Sequence, residues 1–287
     1  MQENVSVAVS ARPECGEGPV WHAPSESVLW VDIVRGQVFR THLETGNTTS
    51  IDYPEMVGAA APRVGGGVVA AVTSGFVGMD CDGTITKRVD CLPEGIRMND
   101  AKVDPAGHYW AGSCAMDFAA GAGGLWMLDS SWEPTLVVPG LTQPNGLGWS
   151  PDGTYFYLVE TQDRTILRFG FDPLTSTLSP KPVVLTAPGT FFGYPDGLAV
   201  DARGHLWVAE FAGSALHELS PDGALLQSIA IPTAQPTSCA FVGPELDQLW
   251  VTSAAAGLSF ETDPLAGSIF LVDGHGTSGQ PVPNFEG

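Results

Sequence analysis

Apolar positions recur along this chain with a period of two. Segments such as GQVFRTHLETG, GGLWMLDSS, RTILRFGFDP, SALHELSPDG and GSIFLVDG alternate apolar with polar residues and end on Gly, Pro or Asp. That pattern predicts short strands joined by hairpin turns. No segment long enough for a helix carries a convincing 3.6-residue period, which argues against a β/α alternation.

The strands belong to a larger repeat. GPVWHAPSESVLWVD from Gly18, NDAKVDPAGHYWAGS from Asn99, PNGLGWSPDGTYFYLVE from Pro144, PDGLAVDARGHLWVAEF from Pro195 and PTSCAFVGPELDQLWVTS from Pro236 share one layout. Each has an apolar strand, a tight turn of Pro, Asp and Gly, and a second strand around an aromatic residue. The markers are Trp30, Trp110, Tyr157, Trp207 and Trp250, separated by 80, 47, 50 and 43 residues. A degraded copy with Val69 and Ala70 in the aromatic slot fills the double-length gap, so there are six repeats. Four strands per repeat at this period describe propeller blades. The expectation is an all-β, six-bladed β-propeller occupying residues 1–287 as one domain. Its blades cover roughly 15–275, and strand 5–10 closes the ring so that no edge stays open.

Polar residues at blade starts converge on one mouth of the channel in such a fold. Glu17, Asn99, Asn145 and Asp196 each stand before or at the head of an apolar strand. Carboxylates and amide carbonyls together form a hard oxygen site suited to Ca²⁺, Mg²⁺ or Mn²⁺, and to Zn²⁺ or Fe²⁺ at lower coordination number. Asn-Gly and Asp-Gly are also ordinary turn formers, and the spacing leaves both readings open.

Composition narrows the function classes. The 287 residues carry 32 acidic against 12 basic side chains, a formal charge of −20. So few cations argue against nucleic-acid and anionic-membrane partners. No apolar run approaches a membrane span. The start, Met1-Gln-Glu-Asn-Val-Ser, lacks the basic and apolar regions of a signal peptide. With five scattered cysteines and no C-x-x-C pair, the expectation is a cytoplasmic protein with free thiols. A monomer is the default for a closed ring.

Other chemistries lack their motifs. Ser113, Ser150, Ser238 and Ser253 lie near strands, but there is no G-x-S-x-G elbow. The six histidines form no H-x-x-x-H pair, and His108 and His205, at equivalent turns, read as solvent-exposed. The tryptophan markers read as blade packing. Gly65-Gly66-Gly67 lacks the Lys and helix of a phosphate loop, and Asn47-Thr48-Thr49 has no role as a glycosylation acceptor in a cytoplasmic protein.

CGEGPVW from Cys15, RMNDAKVDPAGHYWAG from Arg97, PNGLGWS from Pro144 and PDGLAVDARGHLWVA from Pro195 together resemble the senescence-marker-protein/gluconolactonase family of regucalcin-like sugar lactonases. TSCAFVGPELDQLWVTSA and AGSIFLV extend the likeness over residues 12–273. The resemblance implies a six-bladed propeller with one divalent cation in its channel mouth. It implies Glu17, Asn145 and Asp196 as metal ligands. Arg97 and Asn99 are implied as substrate-binding residues, with Asp117 at a place where some members contact sugar hydroxyls. The loop from Met116 to Gly124, short and rich in Ala and Gly, is a departure at that last place.

The implied activity is metal-dependent hydrolysis of a small sugar-acid lactone, aldonolactone to aldonic acid. Asp196 is the candidate general base, although a carboxylate on a cation is a weakened base. The rival is a water activated by the cation and steered by Asp196. A phosphotriesterase or arylesterase on the same site, or a cation-binding regulatory protein without turnover, are the alternative functions. A protein-interaction propeller is weaker still, having no need of polar residues converging on the channel.

Overall fold

The Asp-Pro-Ala-Gly and Asp-Ala-Arg-Gly turns close hairpins through one carboxylate each. Asp104 Oδ1 accepts the N–H groups of Ala106 and His108 at 2.8 and 2.9 Å, while its Oδ2 accepts the indole N–H of Trp110 at 2.9 Å. Asp201 does the same for Arg203, His205 and Trp207 at 2.8, 2.8 and 3.3 Å. The turn and the aromatic of the following strand are thus fixed together, which is why the sequence repeats them as a unit.

These hairpins build six four-stranded antiparallel blades in a computed structural model that describes residues 4–287. A first strand, β1 (Asn4–Val9), precedes the blades. Blade 1 contains β2 (Gly16–His22), β3 (Ser27–Asp32), β4 (Gln37–His42) and β5 (Thr48–Asp52). Blade 2 contains β6 (Val57–Pro62), β7 (Val68–Val72), β8 (Gly75–Met79) and β9 (Ile85–Asp90), and blade 3 contains β10 (Ile96–Val103), β11 (Tyr109–Ala115), β12 (Gly123–Leu128) and β13 (Pro134–Leu141). In blade 4, β14 (Pro144–Trp149), β15 (Tyr155–Glu160) and β16 (Thr165–Asp172) are followed by an outer edge split into β17 (Thr177–Leu178) and β18 (Val183–Val184). Blade 5 contains β19 (Tyr194–Val200), β20 (Leu206–Phe211), β21 (Ala215–Leu219) and β22 (Leu225–Ala230). Blade 6 contains β23 (Pro236–Val242), β24 (Gln248–Ser253) and β25 (Ile269–Asp273), and β1 supplies its outermost strand, from Asn4 opposite Asp273 to Val9 opposite Ile269.

The core fills the spaces between blades, where aromatic and branched side chains of neighbouring sheets meet. Trp110, Trp149, Phe156 and Phe171 form one such cluster between blades 3 and 4. Trp30, Trp110, Tyr157, Trp207 and Trp250 are all buried, as packing residues should be. Trp30 is out of step with the others. Trp110, Tyr157, Trp207 and Trp250 pair with an innermost strand, whereas Trp30 stands opposite a break in pairing, two residues nearer the other end of its strand. Its indole therefore has no turn carboxylate and donates instead to Thr41 Oγ1 at 3.0 Å.

His108 and His205 correct a sequence expectation. They are partly buried and bonded rather than solvent-facing: His108 Nδ1 lies 3.2 Å from Asp104 Oδ2, and His205 Nδ1 lies 2.7 Å from Glu218 Oε1. The five cysteines are free thiols. No helix among the described residues is long and apolar enough to cross a membrane.

Residues 274–287 run as a strap over the turn-bearing face of the ring. Gln280 Nε2 donates to the carbonyls of Trp149, Val200 and Asp201, each at 3.3 Å. Farther on, Phe285 is fully buried against Tyr109 and Trp132, with ring centroids 6.3 and 5.3 Å away. Arg63 Nε donates to the Gly287 carbonyl at 2.9 Å.

Candidate active site

Every innermost strand breaks its pairing once, near the end opposite the strap. The breaks fall between Glu17 and Val20, Val57 and Ala59, Met98 and Ala101, Pro144 and Leu147, Pro195 and Leu198, and Pro236 and Cys239. Such bulges bend a strand and re-aim its side chains. In blades 3 to 6 the unpaired residues are Asn99-Asp100, Asn145-Gly146, Asp196-Gly197 and Thr237-Ser238. Asn99, Asn145 and Asp196 therefore share one place. Glu17 does not: it sits one residue earlier, still opposite Val31, and Gly18 after it turns at φ 54°.

The four side chains nevertheless meet in a buried cluster, each less than a tenth exposed. Asn145 Nδ2 donates to Asp196 Oδ1 in a short contact, and to Thr161 Oγ1 at 3.2 Å. Thr161 in turn donates to the Pro195 carbonyl at 2.9 Å. That arrangement fixes the amide's orientation and leaves Asn145 Oδ1 without a donor among the described residues. Arg97 Nη1 donates to Asn99 Oδ1 at 2.8 Å and to the Met98 carbonyl at 2.9 Å, while Asn99 Nδ2 donates to the Pro144 carbonyl at 3.1 Å. Arg97 and Asn99 are thereby locked as a pair beside the acidic group.

Asp117 is placed apart. It is exposed on the β11–β12 loop, on the same end of the ring, and accepts the N–H of Ala119 in its own loop at 3.1 Å.

Two residues of the cluster, Asp100 and Thr161, and a cation below it, Lys102, escaped the sequence reading. Asp100 is buried beside Asn99, and its Oδ1 accepts the Ala101 N–H at 2.7 Å. Lys102 Nζ donates to the Leu198 carbonyl at 2.6 Å. Asp100 stands in the quoted Arg-Met-Asn-Asp segment, so its signal was present. The place of the bulge, which decides that it faces the channel, was not.

Electrostatically the cluster is short of positive charge. Burial pushes the Glu17 carboxyl well above the usual carboxylate range, and the nearby Asp196 and Asp100 push it further. Asp196 is raised by burial and by Asp100, with Arg97 partly offsetting them, and Asp100 is raised by burial against the pull of Lys102. None of these carboxylates forms a salt bridge among the described residues. Three buried carboxylates with an amide oxygen to spare are a donor set that fits a hard divalent cation.

A second acidic group, Asp201, His205 and Glu218, brings its ligand atoms within 4.8 Å of one another on the strap-bearing face. Its charge is already met: Arg203 Nη2 bridges Asp201 Oδ2 at 3.0 Å and Glu218 Oε1 at 2.8 Å. It is an ion-pair network around a turn.

Residues 15–255 match the family model described as the SMP-30/Gluconolactonase/LRE-like region. The chain belongs to this family. Among its relatives in the SMP-30/gluconolactonase family, pentonolactonase XacC of Haloferax volcanii is 35% identical over 277 residues, 94% of each chain. A 6-deoxy-6-sulfogluconolactonase of Pseudomonas putida is 32% identical over 276 residues, again 94% of each. The crystal structure of a calcium-binding protein, regucalcin, from Agrobacterium tumefaciens superposes with a TM-score of 0.92 at 28% identity, covering 97% of this chain and 96% of that one.

Proposed function

We propose that this protein is a divalent-cation-dependent hydrolase of sugar lactones, opening an aldonolactone to its aldonic acid. The observation that carries the reading is the buried group of Glu17, Asp100 and Asp196, short of positive charge, beside the locked Arg97–Asn99 pair. The lactonase names of two relatives support the choice of reaction.

In this reading Glu17, Asn145 and Asp196 hold the cation. When bound, it supplies Lewis-acid polarisation of the lactone carbonyl and lowers the pKa of water in the site. Arg97 binds the lactone's oxygens and stabilises the negative charge that develops on the carbonyl oxygen. Asn99 fixes the direction from which Arg97 donates. Asp196 accepts the proton of the attacking water. The water oxygen bonds to the carbonyl carbon, the ring C–O bond then breaks, its oxygen takes the proton back from Asp196, and the open-chain hydroxy acid leaves. Thr161 acts through Asn145, as the partner that fixes its amide.

The test is proton release from a panel of aldono-1,4- and 1,5-lactones, corrected for spontaneous opening. It is run before and after chelation, with Ca²⁺, Mn²⁺, Mg²⁺, Zn²⁺ or Fe²⁺ restored singly. Turnover restored by metal is the expected result. Tight cation binding with no lactone turned over would sink the lactonase reading and leave a cation-binding protein. Asp196→Asn is expected to lose roughly 10²-fold or more in kcat with cation bound. Full activity in that variant would remove its role as base.

A further inference from the structure

A sizeable cavity lies away from the acidic cluster. Its volume is about 470 Å³, and it sits between the strap and the other end of the channel. Its walls include Trp21, Trp149, Phe241 and, from the strap, Val282 and Gln280, and Lys102 also lines it. The volume is in the range of small-ligand sites, as is a mostly apolar wall with few polar groups.

Lys102 is the one cation on that wall among the described residues, and its bonding is incomplete. Nζ makes a single hydrogen bond, to the Leu198 carbonyl, and no carboxylate comes within salt-bridge distance of it among the described residues. An ammonium has three donors, so two remain to be met. Among the described residues Asp152 is the only carboxylate lining the cavity, and it is engaged by Ser150 and Thr154. Burial lowers the Lys102 pKa, while Asp100, the Cys239 thiol and Glu17 act to keep it charged. A separate small space of about 10 Å³, lined by Gly18, Asp100, Lys102 and Ser238 among others, adjoins the cavity. None of Glu17, Asn99, Asn145 and Asp196 lines the larger cavity, so a ligand there meets different residues from one in the acidic mouth.

We propose that this lower cavity binds a small aromatic monocarboxylate, its ring between the indole and phenyl walls and its carboxylate on Lys102 Nζ. Two unmet N–H donors on Nζ match the oxygens of one carboxylate, and the flat aromatic walls favour a planar apolar body. The proposal stands independently of the lactonase reading.

Isothermal titration with 2-naphthoate tests it, using 2-naphthamide as the neutral counterpart. The expected result is saturable one-to-one binding of naphthoate, with naphthamide at least tenfold weaker. Lys102→Met should weaken naphthoate at least tenfold. Ala240→Phe, which fills the cavity and keeps Lys102, should do the same, each in a variant whose circular dichroism matches the parent. Arg97→Met should leave binding unchanged, because Arg97 belongs to the opposite mouth. The proposal is overturned by absence of saturable binding, by equal affinity for the amide, or by Lys102→Met or Ala240→Phe binding as the parent does. Loss of binding in Arg97→Met with retention in Lys102→Met would place the ligand at the acidic mouth and overturn it equally.

Discussion

At the scale of single residues, the acidic cluster makes the cation-free protein sensitive to pH. Glu17, Asp100 and Asp196 have carboxyls raised above their unfolded values, chiefly by burial. Protonated, they carry no penalty. Stability is therefore fully present below the ordinary carboxylate range and is lost as pH rises through the raised values. Chelated protein should show a melting temperature that falls as pH rises above the ordinary carboxylate range, and added Ca²⁺ or Mn²⁺ should reverse the fall. A melting temperature independent of pH without cation would contradict the assignment. Glu17→Gln removes one buried charge and is expected to stabilise the chelated protein at pH 8 by about 1–3 kcal/mol while weakening cation binding. Urea unfolding and calorimetric titration would check the two effects together. Thr161→Val, which frees the Asn145 amide to turn, should weaken the cation roughly tenfold, and Thr161→Ser should restore it. The residue types at blade starts marked Glu17, Asn99, Asn145 and Asp196 in the sequence, and the family resemblance added Arg97. Thr161 was not legible, because a threonine at the end of a second strand carries no mark of the amide it holds.

At the scale of elements, the bulge in each innermost strand positions the candidate site, and small residues make room for it. A Cβ on Gly58 would lie 2.1 Å from the Asn99 carbonyl oxygen, and one on Gly197 would lie 2.0 Å from Ser238 Oγ. Backbone blocks the first, so Gly58→Ala must displace β10 where it carries Arg97 and Asn99. The expected outcome is a destabilisation of about 1–3 kcal/mol by urea unfolding, with a raised KM for lactone. Unchanged values for both would show that β10 yields without cost. The strands were legible because alternation and turn chemistry are local. Their bulges were not, since a bulge is a property of pairing between two strands. Glu17, grouped by sequence with Asn99, Asn145 and Asp196 at the blade starts, therefore stands one place off their register. The split outer edge of blade 4 escaped for the same reason: two-residue strands leave no period to detect.

At the scale of the whole molecule, the repeat arithmetic gave six blades, and the ring follows from them. The strap could not be read in advance, because residues 274–287 carry no alternation and their partners are distant. Its anchor is testable: Phe285→Ala should cost about 3–5 kcal/mol of stability, seen as a lower melting temperature. An unchanged value would mean that the strap only rests on the ring.

The pairing of β1 with β25 also orders events in time. Asn4 and its neighbours leave the ribosome early, yet their partners, Ile269–Asp273, are made some 260 residues later. Until then β1 is an unpaired strand and blade 1 lacks one of its neighbours. Inner blades can form hairpin by hairpin, but closure is a long-range step that pays its loop entropy only near the end of synthesis. The exposed edges of a half-made ring are the species open to chaperone capture or aggregation. The expected signature is a fast phase that gains strand content and a slower one that buries Trp250 of blade 6.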